Sequence, residues 1–589
     1  MKNRISNFFH IFFAIIHQAP GLRDIVFLFG FTILVTFHPY FLWEEIKLSE
    51  MGLYLPGALD ILKGAIPFRD VFHLRGPFEL YMPAVMLKLF GTNLSVLNSY
   101  FYFGTIFTLL LGILIGKELY RTRYVLYLMT LIFVARTFPR IFYKDWGGMR
   151  YAWGFLAMLC AIRFFKTGRL SAIFFTGIFT ACGFFTSTEI GIFSALGTLG
   201  GLFFAYLLKS YEPRFILRAL GVYVAGVAVI GVPYFVYLWQ AGALTSYLDV
   251  IWTIPANFPK TFRQDTIDVY PTSFQEIILA MINPGSKNFR HLTPAYMYIF
   301  LFGYLIYRLR SHRIDKVDLG VISFGVYGFL MYITSFRSLW GPQFEMALQP
   351  DKILFFFLLE RFYFVLRDRK NQLLNELGGS SAWRKDAPFT VLKLYGIFFL
   401  FSGFLGSSIG FSIARYNSRF YAFQFVGNLV TGKDTAELSP MAKTPTQALS
   451  FERAKGMGAP AEQAQDIEAV VSVLQEKSSP KDTVVGYPHM GIYNFFLDRP
   501  FVSRFSSVNL SWFSERWHRE VINEFKKTPP AFIIIPDFTT LEYDQFFKDN
   551  ESNQRKHAEF MQLLEEKYVP MAKTPKSSIY RLKNHAPQG

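Results

Sequence analysis

The 589-residue sequence is poor in charged residues, and this shortage argues against an ordinary soluble protein. Only 17% of the residues are Asp, Glu, Lys or Arg, whereas soluble chains carry about a quarter. Hydrophobic residues make up 52% of the chain, and 68 residues are Phe. Because the last third of the chain is polar, the apolar excess is concentrated before it. The composition therefore predicts a membrane protein with several spans.

Cysteine and the common nucleotide-binding motifs are also scarce or absent. The two cysteines, Cys160 and Cys182, both lie inside apolar segments, so no disulfide framework is predicted. No Cys/His cluster has the spacing of a zinc site. There is no P-loop, no G-x-G-x-x-G after a strand, no H-E-x-x-H and no nucleophile elbow. No cofactor is predicted, and the sequence leaves open whether a divalent metal is required.

Apolar segments of membrane-crossing length are what the sequence has in abundance. A helix needs about 20 apolar residues to cross a bilayer, and on this measure we predict about eleven spans. The predicted spans are Ile25–Leu42, Tyr100–Ile115, Tyr124–Phe138, Tyr151–Phe165, Leu170–Phe185, Ile190–Leu208, Phe215–Trp239, Leu292–Leu309, Leu319–Phe336, Ala347–Leu366 and Val391–Ile409.

The distribution of basic residues predicts the orientation of these spans. The net charge of +17 comes largely from short clusters in every second connection, such as Lys117–Arg123 and Arg308–Lys316. This pattern indicates the positive-inside bias of membrane proteins rather than a groove for nucleic acid. We therefore expect a plasma-membrane or inner-membrane protein with a cytoplasmic N-terminus. The segments Glu44–Gly91 and Ala241–Arg290, and everything after Ile409, are then external or periplasmic.

The predicted fold is an α-helical polytopic membrane bundle with a C-terminal external α/β domain. Residues 1–23 contain apolar residues interrupted by His10 and His17, with no small-residue cleavage site, which indicates an interfacial helix rather than a signal peptide. Residues 24–412 form the transmembrane domain, with external loops at 44–98 and 240–291. A linker spans 413–460, and a soluble domain spans 461–589.

Alternating helix and strand patterns are what identify the C-terminal part as an α/β domain. Helical periodicity covers Glu462–Lys477 and Glu515–Lys527. Strand-like runs occupy Thr483–Tyr487, Ala531–Ile535 and Ser578–Leu582. Helices that alternate with strands are typical of a small α/β layer structure.

Ionisable residues near the external ends of the spans are the candidate functional residues, because such groups at membrane depth are costly and are commonly functional or paired. External arginines also run against the positive-inside bias, and an anionic ligand such as a lipid phosphate would account for them. In the alternative interpretation they snorkel to lipid headgroups or pair with Asp145, and the first loop is only a solvated connection. The candidates for binding a donor phosphate or substrate are Arg69, Asp70, Arg75, Arg140, Lys144, Asp145, Arg150, Glu189 and Arg337.

The most specific signal lies in the first external loop, where residues 50–77 read EMGLYLPGALDILKGAIPFRDVFHLRGP. This segment resembles the first external loop of GT-C membrane glycosyltransferases related to protein O-mannosyltransferases and aminoarabinose transferases. Their pattern is close to D-E-G-x-Y-x-x-x-A-x-x-(I/L)-L-x-G-x-x-P-Y-R-D, and it fits from Glu50 to Asp70 without a gap. The order of parts, from first span through acidic loop and many spans to a tail domain, is also similar.

The resemblance implies transfer of a sugar from a polyprenyl-phosphate donor to a lipid, glycan or protein acceptor on the outer face, with inversion at the anomeric carbon. Glu50 stands where the family has the loop aspartate proposed as the general base, and Glu44 or Glu45 is an alternative. Arg69 and Asp70 match the R-D pair of the family.

The sequence departs from the family pattern at several positions. Glu50 replaces the usual Asp, and Met51 replaces the usual Glu. Glu189 resembles the glutamate of a K-x-E-x-G pattern, but Ser187 stands in place of the lysine. After Arg337, where relatives often have Asp and His, this chain has Leu339 and Pro342. Either the donor is held differently or the activity is altered or lost.

Two other function classes remain open from the sequence. A transporter or flippase of lipid-linked saccharides would carry inverted repeats with broken helices, and no such internal symmetry is visible. A non-catalytic scaffold that has kept the GT-C fold is the second alternative. Substitution of the loop glutamates separates these alternatives from an enzyme.

Overall fold

The computed structural model has a bundle of apolar helices followed by a small α/β domain, which confirms the predicted fold class. It describes residues 18–36, 48–137, 149–267, 275, 279, 289–311, 313–335, 347–377, 427, 428, 430–433, 446–508, 510, 513–537 and 551–585.

The helices of the N-terminal part are separated by short turns, by the irregular segment 63–77 or by segments that include residues outside the described ranges. Helices satisfy their own backbone hydrogen bonds, as a membrane interior requires. They are α1 (Leu22–Thr36), α2 (Leu48–Leu62), α3 (Phe78–Phe90), α4 (Ser95–Leu119), α5 (Arg123–Thr137), α6 (Met149–Thr167), α7 (Leu170–Thr186), α8 (Thr188–Leu207), α9 (Pro213–Gln240), α10 (Leu244–Ile267), α11 (Phe289–Arg310), α12 (Lys316–Ser335) and α13 (Gln349–Leu377).

Four helices in the described part of the chain are long and apolar enough to cross a membrane: α4, α8, α9 and residues 316–334 of α12. They coincide with four of the predicted spans, and the chain is a multi-pass membrane protein. The other predicted spans coincide wholly or partly with helices that do not meet both criteria, except Val391–Ile409, which lies outside the described residues. The total of about eleven spans and the interfacial helix at residues 1–23, of which only 18–23 are described, stay predictions.

Helix α6 lies at the centre of the bundle, where it packs against α4, α7, α8 and α12. One end of this central group carries Glu118, the penultimate residue of α4, which pairs with two cations from the end of α6. Arg163 Nε lies 3.1 Å and Lys166 Nζ 2.6 Å from the Glu118 carboxylate. The starts of α4 and α6 lie at the opposite end, which the first loop covers.

The first loop folds into two helices, α2 and α3, with an irregular segment between them. Gly64 follows the end of α2 with a φ of 97°, a left-handed conformation that glycine adopts without a Cβ penalty. Pro77 directly precedes α3, where its missing N–H costs no helical hydrogen bond. Ile66 and Pro67 lie in the segment between the two helices.

The C-terminal part contains a two-stranded sheet, a four-stranded sheet and helices. Strands β1 (Thr446–Ala448) and β2 (Gly458–Pro460) pair antiparallel and lie within the segment predicted as a linker. The larger sheet has the order β3-β4-β6-β5, with β3 parallel to β4 and the other neighbours antiparallel. The remaining elements are α14 (Ala461–Lys477), β3 (Val484–Gly486), α15 (Ile492–Leu497), α16 (Glu515–Lys527), β4 (Phe532–Pro536), α17 (Glu551–Lys567), β5 (Tyr568–Lys573) and β6 (Ser577–Leu582).

The C-terminal part packs directly on the first loop. A Cβ at Gly52 of α2 would lie 2.8 Å from the backbone nitrogen of Ile492, so α2 and α15 touch backbone to backbone. The Phe72 N–H donates to the Arg504 carbonyl at 2.6 Å, and Arg504 Nη1 donates to the Phe68 carbonyl at 3.1 Å. These contacts hold the first loop between the helical bundle and the α/β domain.

Candidate functional site

The turn before α3 is pressed against the end of α7, and this contact positions the candidate site. The Gly76 N–H donates to the Thr186 carbonyl at 3.2 Å. A Cβ at residue 76 would overlap the carbonyl group of Phe185, so glycine is required by space at this position. The contact brings Arg75 to the junction between α7 and α8.

Arg75 is mostly enclosed by aromatic and acidic side chains of the first loop. Its guanidinium donates a hydrogen bond to the Tyr54 hydroxyl, and Cζ lies 5.8 Å from the centroid of the Tyr54 ring. Nη1 lies 3.6 Å from Oε2 of Glu79, four residues further along, and 15% of the Arg75 side chain is exposed. An arginine stacked on an aromatic ring and paired with a carboxylate is held in a defined position.

Glu79, in the first turn of α3, is the most deeply buried acid of this region, with 1% of its side chain exposed. The Tyr100 hydroxyl, from the start of α4, donates to Oε1 at 3.4 Å. Burial raises the pKa of Glu79, while the charges of Arg75 and Arg150 and the hydrogen bonds from Tyr54 and Tyr100 lower it; burial prevails.

Arg150, the second residue of α6, is 3% exposed and forms an ion pair with Glu189 of α8. Its Nε donates to the Ser187 hydroxyl at 3.0 Å, and its Cζ lies 5.1 Å from the Tyr151 ring centroid. Glu189 lies in the first turn of α8, where the helix dipole favours an acid. Because a buried guanidinium is costly without partners, this set of contacts accounts for its stable burial.

Arg75, Glu79, Arg150 and Glu189 together form what we call the charged cluster. Two of its members come from the first loop and two from the bundle, and Glu79 is near enough to both arginines to respond to their charges. The formal charges of these four side chains sum to zero. Guanidinium groups are the preferred protein partners of phosphate, so the arrangement is chemically suited to bind a phosphate once a carboxylate yields its place.

Of the residues predicted from the sequence, Arg75, Arg150 and Glu189 belong to the charged cluster. Arg69 and Asp70 instead pair with each other at the surface, through Nε–Oδ1 and Nη2–Oδ2 distances of 2.8 Å. The hydrogen bonds from Arg69 lower the pKa of Asp70. Arg69 also donates to the Ala241 carbonyl at 3.1 Å, next to α10.

The remaining predicted residues cannot be placed in this way. Glu50 lies in α2, one helical turn before Tyr54, and the structure describes its backbone only. The others lie outside the described residues, and their roles stay predictions. These others are Glu44, Glu45, Arg140, Lys144, Asp145 and Arg337.

Sequence analysis did not select Glu79, a member of the charged cluster, or four residues that surround the cluster. These four are Tyr54, His73, Tyr100 and Ser187, the last noted only as a departure from the family pattern. The Arg75–Glu79 spacing of four residues was the available signal, because such pairs meet on a helix.

Burial, reinforced by the charge of Arg75, lowers the pKa of His73 to about 3, so His73 is neutral at physiological pH. Within the described ranges, no group of three or more His, Cys, Asp or Glu residues could hold a metal ion.

Comparison with solved structures retrieves membrane glycosyltransferases. ArnT from Cupriavidus metallidurans bound to undecaprenyl phosphate is 12% identical, with a TM-score of 0.49 and coverage of 96% of this chain and 99% of that chain. The same protein in the apo state is 13% identical, with a TM-score of 0.48 and coverage of 94% of this chain and 97% of that chain. The oligosaccharyltransferase AglB from Archaeoglobus fulgidus, in complex with an inhibitory peptide and a dolichol-phosphate, is 11% identical. Its TM-score is 0.42, and the match covers 96% of this chain and 75% of that chain.

ArnT and AglB are GT-C glycosyltransferases, the class that the Glu50–Pro77 segment resembles. The identities are near 12% and the TM-scores lie below 0.5, so no residue role or substrate is carried over from them. No protein-family model and no curated protein matches the sequence.

Proposed function

We propose that this protein is a membrane glycosyltransferase that moves a sugar from a polyprenyl-phosphate donor to an acceptor on the outer face of the membrane. The observation that carries the proposal is the convergence of two enclosed arginines, Arg75 and Arg150, where the first loop meets the bundle. The orientation predicted from the basic clusters, with this end of the bundle and the α/β domain outside the cytoplasm, supports the proposal.

The arginines fit the needs of a phosphate leaving group. When the bond between the anomeric carbon and the phosphate oxygen breaks, its electron pair stays on the lipid phosphate, whose negative charge increases. Cations fixed before the reaction stabilise that charge without reorganisation, which is the most effective form of electrostatic catalysis. Arg75 is held by Tyr54 and Arg150 by Ser187, so both guanidinium groups are oriented in advance.

The general base in this proposal is a carboxylate of the first loop. The acceptor hydroxyl or amine loses its proton to the carboxylate as its lone pair attacks the anomeric carbon opposite the phosphate, which gives inversion. Glu50 is the first choice because it matches the family's loop acid in the resemblance and lies one turn before Tyr54, a neighbour of Arg75. Glu44 and Glu45 are the alternatives.

The phosphate site is tested by measuring the binding of undecaprenyl phosphate and of uncharged undecaprenol to the purified protein in detergent. Because a charged hydrogen bond contributes about 1.5–3 kcal/mol, Arg75→Gln and Arg150→Gln should each weaken binding of the phosphate roughly 10- to 100-fold. Binding of undecaprenol should change little. Arg163→Gln, at the other end of the bundle, is the matched control. Equal affinity of the wild type for both lipids would overturn the phosphate site.

The transferase activity needs a separate experiment. Membranes that contain the protein are incubated with undecaprenyl phosphate carrying a radiolabelled sugar, over a panel of hexoses and aminopentoses, and label in lipid, glycan and protein is measured. Glu50→Gln should abolish transfer while the protein still folds and still binds undecaprenyl phosphate. Unchanged transfer by Glu50→Gln, Glu44→Gln and Glu45→Gln would count against the loop base, and no labelled product with any donor would support a transporter or scaffold.

A further inference from the structure

Glu79 occupies a place in the charged cluster that the proposed reaction does not use. The groups that face it come from four elements: Tyr54 on α2, Arg75 on the segment before α3, Tyr100 on α4, and Arg150 on α6. His73 packs against the ring of Tyr54. The Glu79 carboxylate lies 3.6 Å from Arg75 Nη1 and accepts a hydrogen bond from the Tyr100 hydroxyl. A carboxylate in this position binds the same kind of partner as a phosphate would.

The charge balance of the cluster makes this position consequential. With Glu79 and Glu189 both ionised, the charges of Arg75 and Arg150 are already matched. A phosphate that enters this enclosed region would add a negative charge that has no counterpart within the cluster. Burying an unmatched charge is costly, so one of the carboxylates must lose its charge or move away. The Glu79 side chain is 1% exposed and that of Glu189 is 21% exposed, so the charged form of Glu79 is the less solvated of the two.

We propose that Glu79 is a built-in competitor of the donor phosphate, and that phosphate binding is coupled to the uptake of one proton by Glu79. The inference rests on the proposed phosphate site and adds a regulatory property to it. The proton comes from solvent and converts the carboxylate to a neutral carboxyl group. Arg75 is thereby released to the phosphate, while Arg150 keeps its ion pair with Glu189 and the Glu79 carboxyl group keeps its hydrogen bond with Tyr100.

The other titratable groups around Glu79 do not share this role. His73 stays neutral, because burial lowers its pKa to about 3. Tyr54 and Tyr100 face Glu79 as hydroxyl donors. The arginines remain charged at all pH values of interest. Glu189 faces Arg150 from α8 and is the one other carboxyl group of the cluster.

The direction of the pH dependence follows from the electrostatics. Burial already raises the pKa of Glu79 in the empty site, and a bound phosphate raises it further by adding a negative charge and by occupying the arginines. At pH values between the pKa of Glu79 in the empty site and its pKa in the occupied site, binding takes up one proton. In that range the dissociation constant rises up to about tenfold for each unit by which the pH increases. Below the pKa of the empty site, the affinity no longer changes with pH.

The experiment uses the full-length protein in detergent and the methyl diester of undecaprenyl phosphate, whose single charge does not titrate between about pH 5 and 9. Calorimetry in buffers of different ionisation enthalpy gives the number of protons taken up. The wild type should take up nearly one proton at the steepest part of its pH profile, and its dissociation constant should rise at least about fivefold across the range. Glu79→Gln should take up none, bind as tightly as the wild type at low pH, and vary less than about twofold.

Glu118→Gln is the matched control, because Glu118 also lies between two cations but at the opposite end of the bundle. It should keep the pH profile of the wild type. A flat wild-type profile with no proton uptake overturns the inference, even if Glu79→Gln does not fold. Weaker binding by a folded Glu79→Gln variant at high pH also overturns it. If the wild type binds the diester no better than undecaprenol, the proposed phosphate site itself fails.

Discussion

The pairing of Arg150 with Glu189 can be tested as a source of stability, independently of any substrate. We consider Arg150→Gln, Glu189→Gln and the double variant. Arg150 is 3% exposed and its partner 21% exposed, so the pair is mostly enclosed but not isolated from water. Each single change leaves one charge of a buried pair without its main partner, whereas the double change leaves two neutral amides.

The expected magnitudes follow from this geometry. Removing one partner of a buried ion pair costs about 3–5 kcal/mol, because the remaining charge is left poorly solvated. Since Glu189 retains some contact with water, we expect the lower end for Arg150→Gln, about 3 kcal/mol. Glu189→Gln strands the more deeply buried arginine and should cost as much or more. The double variant should be less destabilised than the sum by about 1–3 kcal/mol.

The assay is reversible unfolding in mixed micelles of a mild detergent and SDS, followed by tryptophan fluorescence, for the three variants and the wild type. The four unfolding free energies close a double-mutant cycle. The pair Glu118–Lys166, which joins α4 to α6 at the other end, gives a comparison cycle in which the cation is much more exposed than Arg150, so a smaller coupling is expected. Additivity of the Arg150 and Glu189 effects within about 0.5 kcal/mol would refute the interpretation of these residues as one electrostatic unit.

Two further changes test how the site is positioned. Gly76→Ala would force a Cβ into the Phe185 carbonyl, so the turn that carries Arg75 must shift. We expect a loss of about 1–3 kcal/mol in unfolding free energy and at least tenfold weaker binding of undecaprenyl phosphate. Gly231→Ala, with open space around it, should change neither quantity. Asp60 lies under the contact between α2 and the α/β domain, and burial, assisted by Asp498 and opposed by Lys63, raises its pKa to about 6. Unfolded Asp60 ionises near its ordinary pKa, so the wild type should lose stability as the pH rises from about 4 to 6. Asp60→Asn should be about 1–2 kcal/mol more stable than the wild type at pH 7 and equally stable at pH 3.5; equal stability at pH 7 would contradict the burial argument.

Secondary structure was predicted best where a segment is strongly apolar or strongly periodic. The helix Glu515–Lys527 and the strand run Ala531–Ile535 are observed at or within one residue of their predicted bounds. The strand β5 (Tyr568–Lys573) was missed because it contains Pro570 and lacks a regular alternation of buried residues. Proline is tolerated there because β5 is an edge strand with a register shift near Pro570.

The site was harder to predict, because its members come from separate elements. Arg150 and Glu189 are far apart in the sequence, and their pairing depends on α6 and α8 packing side by side. Arg75 reaches the same region through the contact of Gly76 with α7, which no sequence pattern announces. Glu79 was visible four residues after Arg75, but the same spacing is typical of a solvated helix face. The burial of Glu79 in the structure distinguishes a member of the charged cluster from an acid on a solvated helix face.

The position of Ser187 shows how a departure from a sequence pattern can be matched in space. The resemblance leads one to expect a lysine two residues before Glu189, and the chain has Ser187 there. In the structure the Ser187 hydroxyl accepts a hydrogen bond from Nε of Arg150, whose guanidinium also pairs with Glu189. The positive charge at the α7–α8 junction therefore comes from α6. We interpret the small Ser187 side chain as the space that this arginine needs, so that Ser187→Lys should repel Arg150 and weaken the charged cluster rather than restore it.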